Sequence, residues 1–280
     1  MLILAAAPSS DSETLAYCSI HMTFEPDRKP IVVVTEGGPH IWAIINSVSD
    51  ALGPVTVILE TPESKAQILK RRARTQGWIS VGGQLATMVL TRLGKRLFVP
   101  RMLSIVQEYG LKIEPQSGQR IVRVSSANAP ECLAAIREAQ PGVVLLAGCR
   151  LLTRDTLAAV DCPVINYHAA INPKYRGMNG AYWALATGDA ENFGTTVHLV
   201  DEGVDTGAVL YQARGTPGPR DNLMSYALRL SAMSREICVS AVNDALAGRL
   251  TPVETGLPSK QWYHPPIWTY LWNGIRRGVW

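Results

Sequence analysis

Several features are scarce in this chain of 280 residues, and each scarcity excludes a class of protein. Charged residues make up only 18% of the chain and hydrophobic residues 47%, which favours a packed core over a disordered chain. No run of about 18 uninterrupted apolar residues occurs, so no membrane-spanning helix is predicted. The 5 cysteines include no Cys-x-x-Cys pair, which argues against structural zinc or a disulfide framework and fits a reducing compartment. We therefore expect a globular, cytoplasmic protein without a metal site.

Acidic residues are absent from one long segment. Residues 65–101 contain nine Lys or Arg and no Asp or Glu, although the net charge of the whole chain is only +4. Such a block is either a solvated face or a contact for an anionic partner. Residues 262–280 hold four of the seven tryptophans, and they form either a tail folded over the core or an aromatic and basic contact surface. Peripheral contact with the inner membrane face through both segments therefore stays open.

The glycine fingerprint of dinucleotide-binding proteins is also missing. The loop after the first predicted strand reads Glu36-Gly37-Gly38-Pro39 and does not continue into G-x-G-x-x-G. Nicotinamide binding, and with it a dehydrogenase activity, is not supported.

Buried strands and helices alternate along most of the chain, which predicts an α/β fold with a mainly parallel sheet. Residues 62–113 interrupt this alternation, and their basic clusters around an apolar middle predict one or two inserted amphipathic helices. A long C-terminal helix is predicted to end at Gly248, with Asp221 as its N-cap. The other predicted strands are 30–34, 55–59, 121–124, 143–147, 164–167, 195–200 and 209–212, and the other helices are 40–52, 129–139, 153–160 and 180–187.

Polar side chains follow two neighbouring strands of this predicted sheet. Asn166 and His168 are two residues apart, so they point to the same face at the end of a buried strand. Ligands of parallel α/β folds collect at such carboxyl ends. The next strand leads into a loop with three carboxylates, Asp201, Glu202 and Asp205. An amide, an imidazole and a carboxylate are the groups that a proton-coupled acyl transfer needs.

The order of short motifs across residues 143–212 resembles the catalytic core of the folate-dependent formyltransferases. These motifs are Asn-x-His, Pro-x-Tyr-Arg-Gly, Gly-Asp, Val-His and Asp-x-x-x-Asp-x-Gly. That superfamily includes the glycinamide ribonucleotide, methionyl-tRNA and sugar-nucleotide N-formyltransferases. The resemblance implies a Rossmann-like formyltransferase domain at 29–215 that carries the insertion 62–113. An N-terminal extension, 1–28, would precede this domain, and a C-terminal helix with an aromatic and basic tail, 216–280, would follow it.

The resemblance further implies that formyl is transferred from 10-formyltetrahydrofolate to a primary amine. Asn166 would donate a hydrogen bond to the oxyanion, with protonated His168 beside it. Asp205 would favour the charged imidazole and help to collect the amine proton. His198 resembles the family's histidine on the neighbouring strand, although a hydrogen-bonded core histidine is an equal alternative.

A folate pocket is implied by the same resemblance. One wall would consist of Arg150, Leu151 and Leu152. The other wall would be the loop that contains Val200, Asp201 and Glu202. An apolar pocket with backbone hydrogen bonds suits a flat heterocycle.

The acceptor amine is less defined by the sequence. Trp183 resembles a tryptophan of the sugar-nucleotide N-formyltransferases, which favours an amino sugar that is linked to a nucleotide or a lipid. Glu36 and Pro39 make the first loop a poor phosphate cradle, and Ala170-Ile171-Asn172-Pro173 departs from the Ser-Leu-Leu-Pro of many relatives. A purine-type glycinamide ribonucleotide enzyme and a non-catalytic folate-binding protein are the alternatives.

Two further superfamily members are not favoured by the lengths of the flanking segments. The residues after Gly215 are too few for the C-terminal barrel of a tRNA enzyme, so no nucleic acid is expected as a partner. The 28 residues before the first strand leave no room for the regulatory domain of a deformylase. A homodimer stays open.

Overall fold

The structure is a computed structural model that describes residues 28–280. Two sheets organise this part of the chain. The predicted extension lies outside the described residues except for Arg28. The strands in chain order are β1 (Ile31–Thr35), β2 (Val55–Glu60), β3 (Arg120–Val124), β4 (Val143–Ala147), β5 (Val164–His168), β6 (Arg176–Gly177), β7 (Gly194–Leu199), β8 (Val209–Arg214) and β9 (Gln261–Trp262).

The larger sheet has seven strands in the order β3-β2-β1-β4-β5-β7-β8. The first five run parallel, and β7 and β8 pair in an antiparallel manner at the far edge. The strand order reverses between β1 and β4, which creates a crevice at their carboxyl ends. β6 and β9 form a separate two-stranded parallel pair. The predicted α/β class with a mainly parallel sheet is confirmed.

Helices cover both faces of the larger sheet. Alternate residues of β1 point to opposite faces, with Val33 in one apolar cluster and Val32 in the other. Helices α1 and α8 pack on the first face and α5 on the second. The helices are α1 (Pro39–Leu52), α2 (Lys65–Gln76), α3 (Trp78–Leu93), α4 (Lys95–Tyr109), α5 (Pro130–Ala139), α6 (Arg154–Ala158), α7 (Gly180–Ala186), α8 (Tyr226–Leu246) and α9 (Ile267–Arg277), with a 3₁₀ turn at Ala190–Asn192.

The prediction of one or two helices within 62–113 was wrong, because this segment forms three: α2, α3 and α4. Gly77 and Gly94 separate them. Gly77 has a positive φ of 79°, a conformation that glycine adopts at little cost, so the chain turns there and begins a new helix.

The predicted N-cap of the long helix was also wrong. Helix α8 begins at Tyr226 with Ser225 at the N-cap position. Asp221 lies earlier in the chain, where its buried carboxylate accepts hydrogen bonds from Arg101 and from the Gly218 N–H and forms an ion pair with Arg229. The carboxylate therefore joins α4 to the start of α8 and does not cap a helix.

The C-terminal segment returns to the carboxyl end of the larger sheet. Strand β9 pairs with β6, and the Met178 N–H donates to the Trp262 carbonyl at 2.9 Å. Helix α9 then lies against α3, where Thr87 Oγ1 donates to the Pro265 carbonyl at 2.8 Å. No helix between residues 28 and 280 has the length and apolar character to cross a bilayer.

Candidate active site

Three predicted residues come together where β5 ends beside β7. Asn166 lies on β5 directly opposite His198 on β7, and side chains opposite each other in an antiparallel pair share a face. Asp205, from the loop between β7 and β8, reaches the same point. Its Oδ1 is 3.4 Å from Asn166 Nδ2, and its Oδ2 is 3.5 Å from His168 Nδ1. The structure therefore brings Asn166, His168 and Asp205 into one cluster and adds His198 to it.

Asp205 is held by its neighbours as an ionised carboxylate. The Gly177 N–H donates to Oδ2 at 2.8 Å. Burial alone would raise the pKa of Asp205, but the charge of His168, the neighbouring His198 ring and the Gly177 N–H together hold this pKa well below its ordinary value. The residue also has a left-handed φ of 51°, which is uncommon outside glycine and is concentrated at functional sites.

His168 lies between two hydrogen-bond acceptors. Its Nε2 donates to the Tyr175 carbonyl at 3.0 Å, and its Nδ1 faces the carboxylate of Asp205. A carbonyl and a carboxylate both accept, so this arrangement suits a ring that can carry protons on both nitrogens. The side chain is mostly buried, which limits access of water to this pair.

His198 is almost fully buried and orients the Asn166 amide. Its Nδ1 donates to the Leu199 carbonyl at 2.6 Å, which leaves Nε2 of a neutral ring as an acceptor. Asn166 Nδ2 donates to this Nε2 at 3.0 Å. The amide nitrogen is thus directed at protein acceptors, and its donation to an oxyanion, which the sequence resemblance implied, stays a prediction.

Two backbone groups of the site were not singled out by sequence reasoning. The Tyr175 carbonyl and the Gly177 N–H hold His168 and Asp205, and both belong to the Pro-x-Tyr-Arg-Gly motif. Gly177 has a φ of 90°, and a Cβ there would overlap the Trp262 carbonyl oxygen. The motif itself could have indicated these two backbone groups, but its contacts depend on the pairing of β6 with β9.

The first predicted folate segment combines an anchored arginine with two leucines. The Arg150 side chain bonds to the Thr61 and Ser125 carbonyls, and its backbone N–H donates to buried Glu60 at 2.6 Å. The guanidinium is therefore used within the protein. Leu151, in contrast, is 49% exposed. The arginine therefore stabilises this segment through bonds within the protein, while the leucine exposes an apolar surface.

The second predicted folate segment faces the first. Val200 packs in the same apolar cluster as Leu152. Asp201 stabilises its own loop by accepting from the Gly203 N–H at 3.0 Å. Glu202 forms a 2.9 Å ion pair with Arg154, two residues after Leu152 in the chain. Leu152 and Val200 thus belong to the packed core, and a folate pocket between the two segments stays a prediction.

The loop after β1 reaches the same end of the sheet without offering a positive charge. Burial raises the pKa of Glu36, and the negative charge of Glu60 raises it further. Burial also lowers the pKa of His40 to about 4, so this histidine is uncharged at neutral pH. Helix α1 begins at Pro39, which has no backbone N–H. The loop thus provides little attraction for a phosphate.

Trp183 secures the C-terminal segment. Its ring stacks on Trp262 with centroids 4.7 Å apart, and its Nε1 donates to the Tyr263 carbonyl at 2.7 Å. Tyr175 stacks on Trp262 as well. One face of the Trp183 ring is therefore covered by the protein.

The sequence model of the formyl transferase family matches residues 28–242. The chain belongs to the formyl transferase family. This confirms the resemblance found in the motifs. Members of this family are folate-dependent N-formyltransferases that use 10-formyltetrahydrofolate as the formyl donor.

Individual relatives match this chain over only part of their own length. A methionyl-tRNA formyltransferase of Synechocystis sp. is 36% identical over 124 residues, which are 44% of this chain and 37% of that protein. A second, from Synechococcus sp., is 30% identical over 162 residues, or 57% of this chain and 48% of that protein. The chain thus spans less than half the length of these two relatives.

Solved structures share the fold of this formyl transferase family member. A sugar N-formyltransferase from Shewanella sp. superposes with a TM-score of 0.53 at 14% identity, over 84% of this chain and 76% of that chain. Glycinamide ribonucleotide transformylase 1 from Symbiobacterium toebii gives the same TM-score at 21% identity, over 84% and 94%. At these identities the likeness concerns the fold alone.

Proposed function

We propose that this chain transfers a formyl group from 10-formyltetrahydrofolate to the primary amine of a small molecule. The observation that carries this proposal is the meeting of Asn166, His168 and Asp205 where β5 ends. Strand β5 and the loop after β7 contribute these residues, which lie at the strand ends where ligands of such folds collect. A buried carboxylate and imidazole would be costly without a use or a partner.

The residues of the cluster would divide the work of proton transfer and charge stabilisation. The bound donor supplies the electrophilic formyl carbon. Asp205 stays ionised and faces His168, so that a proton arriving on the ring is stabilised by the carboxylate. His168 and Asp205 together can thereby take up the proton that the attacking amine loses, and return it to the N10 nitrogen of the donor as the bond between that nitrogen and the formyl carbon breaks. The protonated ring and the Asn166 amide would stabilise negative charge on the formyl oxygen.

An amino sugar, carried by a nucleotide or a lipid, is the acceptor that we propose. The uncharged His40 and the carboxylate of Glu36 argue against a substrate phosphate at the first loop, and so against a purine-type reaction. The stacking of Trp183 on Trp262 leaves the other ring face for a base or a sugar ring, so nucleotide-linked and lipid-linked amino sugars are both candidates. A cytoplasmic location and a homodimer stay predictions.

An assay with both substrates tests this function. Purified protein is mixed with 10-formyltetrahydrofolate and a panel of nucleotide-linked and lipid-linked amino sugars and glycinamide ribonucleotide, and tetrahydrofolate and formylated amine are measured together. We expect turnover with an amino sugar and at least a hundredfold loss in His168→Ala. If His168→Ala turned over at the wild-type rate, the reaction would not depend on His168. Donor binding without transfer to any amine would favour the non-catalytic alternative, and absence of donor binding would contradict the proposal.

Leu151→Asp should weaken donor binding without unfolding the protein. Leu151 is half-exposed, so a charge there costs little stability, but it would have to be desolvated when a heterocycle covers it. We expect at least a tenfold rise in the dissociation constant of 10-formyltetrahydrofolate, as measured by calorimetry. Val253→Asp changes another exposed apolar residue, outside the site, and should bind like the wild type. Equal binding by both variants would remove Leu151 from the proposed pocket.

A further inference from the structure

Helix α3 presents its apolar face to solvent and its polar face to the protein. Thr87 and Thr91 are buried, and Gln84 donates to Gln76 at 2.6 Å on the inner side. On the outer side, Ile79 is 83% exposed and Leu93 is 78% exposed. This arrangement is the reverse of an ordinary surface helix, whose apolar stripe faces the core. The outer face consists of Trp78, Ile79, Leu85, Val89, Leu90 and Leu93.

Helix α9 also presents an apolar face to solvent, while Tyr270 on its other side packs in an apolar cluster. Trp268, Leu271, Trp272 and Ile275 follow the spacing i, i+3, i+4 and i+7, which places them on one face, and all four are exposed. On the inner side, buried Asn273 donates to the Tyr182 hydroxyl at 3.0 Å.

The two helices lie side by side, so their outer faces form one surface. Gly83 of α3 contacts the Trp268 ring so closely that a Cβ would overlap it. Together the exposed apolar residues of both helices, 78–93 and 267–277, are here called the α3–α9 surface. Monomeric proteins rarely leave a contiguous apolar area of this kind uncovered. The surface therefore marks a site of contact with a partner or a membrane.

The charges around this surface identify the partner. Six exposed cations of 65–101 form no salt bridge with any residue in the range 28–280, and no acidic residue interrupts that segment. Arg276 lies over the Trp272 ring at 4.8 Å, and Arg277 follows it at the end of α9. The six cations are Lys65, Lys70, Arg74, Arg92, Lys95 and Arg96.

Tryptophan and leucine at the centre of a surface with cations around them match an anionic lipid bilayer, where apolar side chains enter the acyl boundary and cations meet phosphate headgroups. A second copy of the chain would bring an equal positive charge against this one, which opposes association. The lipid surface is therefore the occupant that the charges favour.

Helix α2, which packs against α3, lies close to the candidate active site. Arg72 of α2 lies 2.9 Å from the sulfur of Met178. Met178 follows Gly177, whose N–H holds the Asp205 carboxylate. We propose that the α3–α9 surface docks on an anionic bilayer and presents the site to an acceptor amine held at the membrane. The docking stands alone, whereas the acceptor rests on the proposed function.

Co-sedimentation of the full chain with vesicles tests the docking. We expect the wild type to bind mixed phosphatidylcholine and phosphatidylglycerol vesicles and to bind phosphatidylcholine alone much more weakly. The double variant Ile79→Glu/Ile275→Glu should weaken this binding at least tenfold, because each change removes an apolar side chain from the acyl boundary. Val253→Glu, at a residue 54% exposed outside the surface, should bind like the wild type.

A second pair of variants separates the contribution of charge. Lys95→Gln/Arg96→Gln should weaken binding roughly fivefold for each cation removed. Arg123→Gln/Arg137→Gln removes two exposed cations elsewhere and should have no comparable effect. Docking is wrong if the wild type does not sediment, or if Ile79→Glu/Ile275→Glu binds as tightly as Val253→Glu. Dissociation of a dimer by the surface variants, without vesicle binding, would identify a second copy as the occupant and overturn the proposal.

The acceptor is tested with the amine in two forms, a water-soluble amino sugar and the same sugar on a lipid in the mixed vesicles. Ile79→Glu/Ile275→Glu should formylate the soluble amine at the wild-type rate and lose at least tenfold on the vesicle-bound amine. Equal rates on the vesicle-bound amine would refute delivery from the membrane. If the wild type formylates neither form, the proposed function fails, while the sedimentation result still decides the docking.

Discussion

Asp205→Asn should lower the rate of formyl transfer on the order of 10²–10⁴-fold while the protein stays folded. The amide keeps the shape of the carboxylate and tolerates the left-handed backbone conformation at this position. It removes the negative charge that faces His168 at 3.5 Å. The proton of the attacking amine would then have no charged acceptor pair. Single-turnover measurements with bound donor would report this loss directly.

A matched variant distinguishes the site from a general effect of charge. Asp161→Asn removes an exposed carboxylate just before β5, at the opposite end of that strand, and should transfer formyl at the wild-type rate. If Asp205→Asn retained more than about a tenth of the wild-type rate, general acid–base work by this residue would be ruled out.

The depressed pKa of Asp205 also predicts a dependence of stability on pH. A carboxyl group whose pKa is lower in the folded than in the unfolded state stabilises the fold above its unfolded pKa of about 4. This contribution is lost as the pH falls through the lower folded pKa. The difference in unfolding free energy between wild type and Asp205→Asn should therefore be constant near neutral pH and shrink below about pH 4. Urea unfolding at several pH values measures it.

Asp221→Ala should lower the free energy of unfolding by about 3–5 kcal/mol, because it leaves two mostly buried guanidinium groups without their main partner. Arg101 and Arg229 both contact this carboxylate, whose side chain is almost inaccessible. Glu108, 3.6 Å from Arg229, is half-exposed and can replace only part of the interaction. For a domain of this size the loss corresponds to a fall in Tm of about 10 °C, measured by calorimetry.

An exposed ion pair provides the control for this stability change. Glu138 pairs with Arg120 at 2.5 Å, and both side chains are more than half exposed. Glu138→Ala should therefore cost less than about 1 kcal/mol. Equal shifts of Tm in Asp221→Ala and Glu138→Ala would show that burial of the Asp221 pair contributes nothing.

Local sequence patterns predicted the strands and helices of the sheet well. Val32 to Val34 form an uninterrupted β-branched run, and such runs are typical of strands buried on both faces, which is how β1 lies in the sheet. Asn166 and His168 were expected on one face from their spacing alone. These predictions succeeded because strand periodicity and chain order are local properties.

Contacts between distant segments could not be read in the same way. The Gly177 N–H reaches Asp205 only because β6 pairs with β9, more than eighty residues away. Asp221 has an ordinary N-cap sequence, yet two arginines of the folded protein bind its carboxylate instead. A charged partner brought near by the fold competes with a local capping bond and exceeds it in energy.

The sequence alone determined the α/β class, the family and the order of the polar groups along the chain, because these follow from periodicity and from motifs of adjacent residues. It also showed a basic block and a tryptophan-rich end. The basic block could be a solvated face and the tryptophan-rich end a packed tail, or either could be a contact surface. Only the tertiary structure decided their orientation. Helix α3 turns Thr87 inward because the Pro265 carbonyl lies there to accept its hydrogen bond, and this turns Ile79 and Leu93 outward beside the tryptophans of α9.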